Sequence, residues 1–320
     1  VRTELAYSAS DDQELYRQGE IQVGQMAFTI KAATIASMPT KPNEDSFAVA
    51  ADTDTFLAAV FDGTTSLKPI AALQDQTGAH FASHFLKDHL ADAEADNTPE
   101  QILLKLNEDL LVESIQLGGA LADTHTLPAS LATIVKISDN ARAFEFAHAG
   151  DTFGIVYYKD GHSEVFTGDT NKKFDNQVFK LLTETARAKG ISYRQARDDD
   201  AIKRALINIF TIKNNHPNGE GSGVVNGDPN LALYIQTGTV TLQGVSAILL
   251  ATDGLLPPGW SLESEQDRQR MIAALQEGGF RRLFGLKHQA EDEDPDWNHV
   301  RFKHSDDATG LLIIRTAQDA

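Results

Sequence analysis

The stretch "AILLATDGLL", residues 247–256, runs apolar and then stops on a carboxylate followed by a glycine. The same pattern stands earlier, at residues 56–63, as "FLAAVFDG". Apolar runs of this length bounded by glycine read as strands buried on both faces, and the ends of such strands are where a rigid scaffold can hold reactive groups. Asp-Gly is also the commonest hairpin dipeptide, so one copy alone reads first as a turn. Two copies at the ends of two buried strands, Asp62 and Asp253, instead suggest a site of paired carboxylates.

Working outward, period-two and short apolar runs recur along the 320 residues. "IQVGQMAFTIKAATI" (21–35) reads as a half-buried strand, and "SFAVAADTDTFLAAVFDG" as two strands joined at Asp52 to Thr55. Helical spacing follows in "SLKPIAALQDQTGAHFASHFLKDHLADA", with Ser66 as N-cap and Pro69 in the first turn, and again over residues 98–115 behind Thr98. A second set of strands covers 130–137, 142–150 and 153–161; strands at 231–243 and 246–254, helices near 262–286 and a last strand at 310–316 close the chain. This segregation of strands and helices predicts an α+β layered sandwich.

The organisation expected is an N-terminal arm over 1–20 and one domain over 21–320, carrying a helical insert at about 168–219. Residues 168–213 hold ten Lys and Arg against six Asp and Glu, a locally basic patch that reads first as solvated helix faces. "EDEDPD" (291–296) reads as a solvated loop broken by Pro295.

Composition excludes several functions. There are no cysteines, so disulfides, thiolate metal sites and cysteine nucleophiles are out, and any metal must be held by oxygen or imidazole. The formal net charge of -18 argues against nucleic acid or an anionic membrane as partner, since both require clustered Lys and Arg. No window has the length of a membrane span, and the first twenty residues lack the apolar core of a secretory signal, so the expected location is the cytoplasm.

Strand ends carry seven acids at five junctions: Glu44 and Asp45, Asp62, Asp151, Asp253, and Asp306 with Asp307. Gathered at one edge they could not all stay ionised without cations, and hard ions such as Mg²⁺ or Mn²⁺ are the natural counter-charge for oxygen ligands. Two such ions about 3.5 to 4 Å apart can share and activate a water.

The order "NEDSF", "VFDG", "SLATIVKI", "AHAGDTFG", "LLATDGL", "DDATGLLII" resembles the metal-dependent PPM or PP2C-type protein serine/threonine phosphatases over about residues 22–316. The resemblance implies an αββα sandwich of two mainly antiparallel sheets flanked by helices, with the insert in the place of the family's flap. It further implies that Asp62 bridges two ions and Gly63 offers its carbonyl. Asp45 and the neighbouring Glu44 would act directly or through water, Asp253 and Asp306 would complete the core pair, and Asp151 would help hold a third ion. Water activated by the metals would attack phosphorus directly, with a phosphoprotein as substrate.

Two departures stand out. The bridging aspartate is followed by "DGTTS", which lacks the imidazole often found there, and the region of the family's phosphate-gripping Arg holds Thr40, Lys41 and Pro42. Lys41 is the catalytic candidate for pairing with phosphate, as a point charge and not a fork. These losses keep open a small polyol, sugar-acid or opine-like substrate in place of a phosphate ester, and behind it a non-catalytic binding protein. His148, three residues before Asp151, reads as an ordinary packed strand histidine.

Overall fold

In a computed structural model, which describes residues 3–4, 14–64, 68, 70–74, 76–139 and 141–316, the apolar runs become strands in two six-stranded antiparallel sheets. The first sheet is ordered β1 (Thr3–Glu4), β4 (Ser46–Ala51), β5 (Thr55–Gly63), β6 (Ser130–Ser138), β7 (Ala143–Ala149), β10 (Gln236–Thr241). The second runs β2 (Glu14–Val23), β3 (Met26–Ile35), β12 (Ala308–Arg315), β11 (Val245–Ala251), β8 (Phe153–Tyr158), β9 (Ser163–Val165). Their inner faces interdigitate through residues such as Phe28, Phe56, Val60, Ile248 and Leu311, with Phe28 and Phe56 stacked at 5.8 Å between ring centres.

The outer faces bury against helices. Helices α1 (Gly78–His89) and α2 (Pro99–Gln116) lay Leu86, Leu103 and Leu106 onto Ala59 and Ile134 of the first sheet. On the other side, α6 (Glu265–Asp292) sets Met271, Leu275 and Phe284 against Leu249 and Leu312. Each fully buried Leu or Phe contributes about 1.5–3 kcal/mol of transfer free energy, so both helix layers are held by apolar contact, not by intrinsic helix propensity. The result is the expected four-layer αββα sandwich. Among the described residues no helix is long and apolar enough to cross a membrane.

Local details differ from the sequence reading. The run 21–35 is not one strand but the turn and second arm of a hairpin: the chain reverses at Gly24, whose φ of +54° suits glycine, and Val23 pairs with Met26. Alternation continues on both sides of the turn, so periodicity alone does not reveal it. Of the arm expected over 1–20, residues 14–20 belong to β2 of the second sheet.

Helix α1 starts at Gly78 behind the Thr77 cap, and the cap expected at Ser66 and the first-turn Pro69 lie outside the described residues. Residues 229–233 form a short 3-10 helix, leaving β10 to begin only at Gln236. Helix α6 runs past 286 to Asp292 and bends at Gly279, where φ is 65° and ψ -158°.

The insert holds three helices: α3 (Lys172–Lys189), α4 (Tyr193–Arg197) and α5 (Asp200–Lys213). Asp199 separates α5 from α4 by capping α5 at the N–H of Ala201. The helices share a small core of Val178, Leu182, Ala196 and Ile202. That core leans on the 300–302 segment, where Phe179 stacks on Phe302 at 4.5 Å.

"EDEDPD" is solvated only in part: Asp292, Glu293, Pro295 and Asp296 are exposed. Glu291 and Asp294 are buried, the first paired with Lys287 at 3.0 Å and the second with Arg301 at 2.7 Å. Lys287, one turn earlier on α6, and Arg301, just beyond the run, make two interior ion pairs out of part of it.

His148 is the packed strand histidine expected. Its Nε2 bonds the Gly168 carbonyl at 3.1 Å and so carries the proton, while Nδ1 accepts from the Thr133 hydroxyl at 2.9 Å. Burial pushes this imidazole down from an ordinary value of 6.5 to about 4, against the raising effect of its backbone bonds. The unfolded chain therefore binds the extra proton between those values, and stability must fall as pH drops through that window. His148 should cost the fold about 2 kcal/mol between pH 7 and pH 5. Urea unfolding at both pH values checks this: His148→Gln should show a smaller loss than the parent by that amount, and an equal loss would refute the assignment.

Candidate active site

Antiparallel registers place the acid-bearing ends of both sheets at one edge. In the first sheet Ser46 lies opposite Phe61 and Ala132 opposite Ala149; in the second Ala251 pairs with both Gly310 and Phe153, and Ala308 with Ile35. Asp45 and Asp62 thus come from the first sheet, Asp253 and Asp306 from the second, and Asp151 from the crossing between β7 and β8.

The two glycines of the opening motifs have a definite steric reason. A Cβ on Gly63 would stand 2.5 Å from the Glu44 carbonyl oxygen and 2.6 Å from that of Ala79; on Gly254 it would stand 1.9 Å from the Asp307 carbonyl oxygen. Only a residue without a side chain lets the neighbouring backbones close in, and this draws the loops carrying Glu44 and Asp306 onto the strand ends.

A buried network of hydroxyls and amides orients the acids across the sheets. Thr252 donates to Asp45 Oδ2 at 2.6 Å and accepts from the Thr309 N–H at 2.9 Å. Thr309 and Thr34 hydroxyls meet at 2.6 Å, and Asn43 reaches Thr34 at 2.6 Å while accepting from the Asp45 N–H at 2.9 Å. His80 of α1 bonds the Asn43 carbonyl at 2.7 Å. Asp307 is spent on structure: its carboxylate accepts from the N–H groups of Ser37 at 2.6 Å and Glu44 at 2.7 Å, clasping the loop that carries Asp45.

The carboxylates press on one another. Asp45 is buried and its carboxyl is raised well above the usual range by burial first and by Asp307, Asp306 and Asp253 next, although the Thr252 bond works the other way. Asp62 is raised by desolvation and then by Asp45, Asp253, Asp151 and Asp306. Asp253 is raised by desolvation and then by Asp151 and Asp306; its side chain opens to solvent, so for it the like charge bears more of the shift than burial does. Glu44 is raised mainly by burial, with Thr77 opposing. At the insert side, Asn171 holds Asp151 Oδ2 at 2.5 Å, while Asp151 Oδ1 is enclosed without any hydrogen-bond partner. Asp175 of α3 is pushed up to about 7 by burial, with Lys213 opposing and Asp151 and Asp169 adding to it.

Mutually repelling carboxylates and an orphaned oxygen fit a site for divalent cations. Among the described residues no group of three His, Asp or Glu side chains is drawn in tightly enough to hold an ion unaided. A hard ion that keeps several waters and takes one or two carboxylates is the kind these residues suit.

Lys41 stands exposed on the turn at 38–41, its N–H bonded to the Met38 carbonyl. The cation set against the acids is one the sequence reading missed, Lys303, whose ammonium lies 2.5 Å from Asp306. Arg197 of the insert gives its Nε to the Phe302 carbonyl at 3.1 Å. Beside the acids opens a cleft of about 220 Å³, bounded by Asp175 and Phe179 of α3, by Asp253 and Asp306, and by residues 299–304.

A four-layer sandwich of two antiparallel sheets with this connectivity is the fold of metal-dependent protein phosphatases. The family model described as protein phosphatase 2C matches residues 39–284, and the chain belongs to that family of serine/threonine phosphatases. Similar solved structures include the serine/threonine phosphatase Stp1 from Staphylococcus aureus, 17% identical with a TM-score of 0.53, covering 94% of this chain and 100% of that one. The serine-threonine phosphatase 2C from Toxoplasma gondii is 14% identical with a TM-score of 0.53 over 95% of this chain and 99% of its own. RsbX, solved in complex with magnesium, is 16% identical with a TM-score of 0.51 over 94% and 100%. At these identities the likeness is one of fold. No curated protein matches the chain.

Proposed function

We propose that the chain hydrolyses phosphomonoesters, with phosphoserine and phosphothreonine of proteins as its substrate class, using two Mg²⁺ or Mn²⁺ ions and a third held more weakly. The observation that carries this reading is the meeting of Asp45, Asp62, Asp253 and Asp306 from both sheets at one edge, in a family whose members do this chemistry.

Asp62, repelled by acids from both sheets, is the residue suited to bridge two ions, with the Gly63 carbonyl beside it. Asp45, Asp253 and Asp306 would complete the pair, Glu44 would act through water, and the unpartnered Asp151 oxygen would serve the third position. Bound there, the ions supply Lewis acidity and lower the pKa of water so that it can attack phosphorus. The protein's own work is to hold the acids in register through Thr252, Asn43 and Asp307, and to present a cleft open on one side to an ester. Net acidity disfavours nucleic acid and anionic membrane as partners, and we place the protein's work in the cytoplasm.

Release of orthophosphate from p-nitrophenyl phosphate and from a phosphothreonine peptide, with Mn²⁺, with Mg²⁺ and with chelator, tests this. Turnover with either ion, abolished by chelator, is expected. Bound metal without turnover on any ester would overturn the phosphatase reading, and sugar acids and amino-acid conjugates would then be screened.

A further inference from the structure

Three cations line the cleft beside the acids: Lys287, Arg301 and Lys303. Two are committed. Lys287 is buried against Glu291, the Ser305 hydroxyl and the Asp306 carbonyl. Arg301 is held by Asp294 and by the carbonyls of His299 and Asp294, with its guanidinium over Trp297. Lys303 differs. Its side chain is 58% exposed, and its ammonium meets Asp306 while lying within the field of Asp253 and Asp62.

We propose that Lys303 is the residue that receives the phosphate of the substrate, taking the part left open by the missing arginine, so that the cleft selects dianionic phosphomonoesters. This rests on the phosphatase reading above. Position supports it: of these three cations Lys303 alone is largely exposed, at the mouth of the cleft beside Asp306. Geometry supports it as well. The four-carbon stem is exposed, and an ammonium whose carboxylate partner is engaged by a cation can turn its three donors to phosphate oxygens. Lys303 lies three residues before Asp306, on the segment that Lys287 fastens to α6, so the anchor and the carboxylate move as one unit.

The test uses the full chain loaded with Mn²⁺, as parent and as Lys303→Ala, Lys303→Arg and Lys41→Ala. It reads KM and kcat for p-nitrophenyl phosphate, and the dissociation constants of inorganic phosphate and of Mn²⁺ by calorimetry. Loss of a charge-assisted bond predicts that Lys303→Ala raises both KM and the phosphate constant about 10- to 100-fold, with kcat less affected. Lys303→Arg should recover part of this, and Mn²⁺ should bind Lys303→Ala as tightly as the parent or more so, since a competing ammonium is gone. The proposal fails if the phosphate constant is unchanged in Lys303→Ala, if only Mn²⁺ affinity drops, or if Lys41→Ala produces the loss instead. Should the parent bind inorganic phosphate without turning over any ester, and Lys303→Ala weaken that binding, the anchor stands and the phosphatase reading falls. Absence of phosphate binding by the parent overturns both.

Discussion

Asp62→Asn is expected to do two opposite things. It should cut metal-dependent turnover by more than about 100-fold, since even supporting groups around a metal commonly cost 10- to 100-fold when removed and Asp62 sits nearer the centre of the site than those do. It should also raise the thermal midpoint of the metal-free protein. The carboxyl of Asp62 is driven upward by desolvation and by Asp45, Asp253, Asp151 and Asp306, so its ionised form destabilises the fold at neutral pH; a neutral amide of the same shape escapes that cost. The parent should gain thermal stability on adding Mn²⁺ and the variant should gain little. A differential scanning calorimetry series with and without Mn²⁺ reads all of this. An Asn variant that is less stable without metal, yet stabilised by Mn²⁺ as much as the parent, would mean that Asp62 is a structural residue and not a ligand.

Lys287→Ala should destabilise the protein by about 3–5 kcal/mol, the usual cost of stripping one partner from a buried ion pair. Lys287 and Glu291 are both almost fully enclosed, and burial works against the Glu291 carboxylate while bonds from His288 and Lys287 hold it below the usual range. The same ammonium bonds Ser305 and the Asp306 carbonyl, so the variant should also loosen the loop carrying Asp306 and weaken Mn²⁺ binding. Replacing both partners, Lys287→Met with Glu291→Leu, leaves no uncompensated charge and should restore much of the stability but not the metal affinity, because the tie to Asp306 is still gone. Chemical denaturation and metal titration of the three proteins separate these effects; recovery of both properties in the double variant would show that the loop needs no tie to α6.

What was legible in the sequence was whatever depends on short apolar runs and the dipeptides that end them. The strands ending at Gly63 and Ala251 are buried on both faces, so their hydrophobicity is continuous and their ends are sharp. The order of the acid-bearing junctions then pointed to one family and one layered fold. The glycines were recognised but for an incomplete reason: Gly63 and Gly254 make room for neighbouring backbone carbonyls. Features set by packing between distant segments were hidden. Nothing local in Thr34, Thr252 and Thr309 says that they form one network beneath Asp45, and Lys303 reads in sequence as one more basic residue in a polar loop. Glu291 and Asp294 were misread because the run was judged by its own charges alone, whereas Lys287 just before it and Arg301 just after it pair with them in the interior.

The architecture has a mechanical side. Over most of their length the two sheets are glued by an apolar interior in which Phe28 lies on Phe56. At the other end they face each other across like charges, with the Thr252 hydroxyl on Asp45 as a neutral rivet between the leaves. Such a molecule resembles a book bound along its spine and held apart at its opening. Cations settling among Asp45, Asp62, Asp253 and Asp306 would close the cover, and the rigidity of the active edge would then be a reading of how much divalent metal surrounds the protein, taken before any substrate arrives.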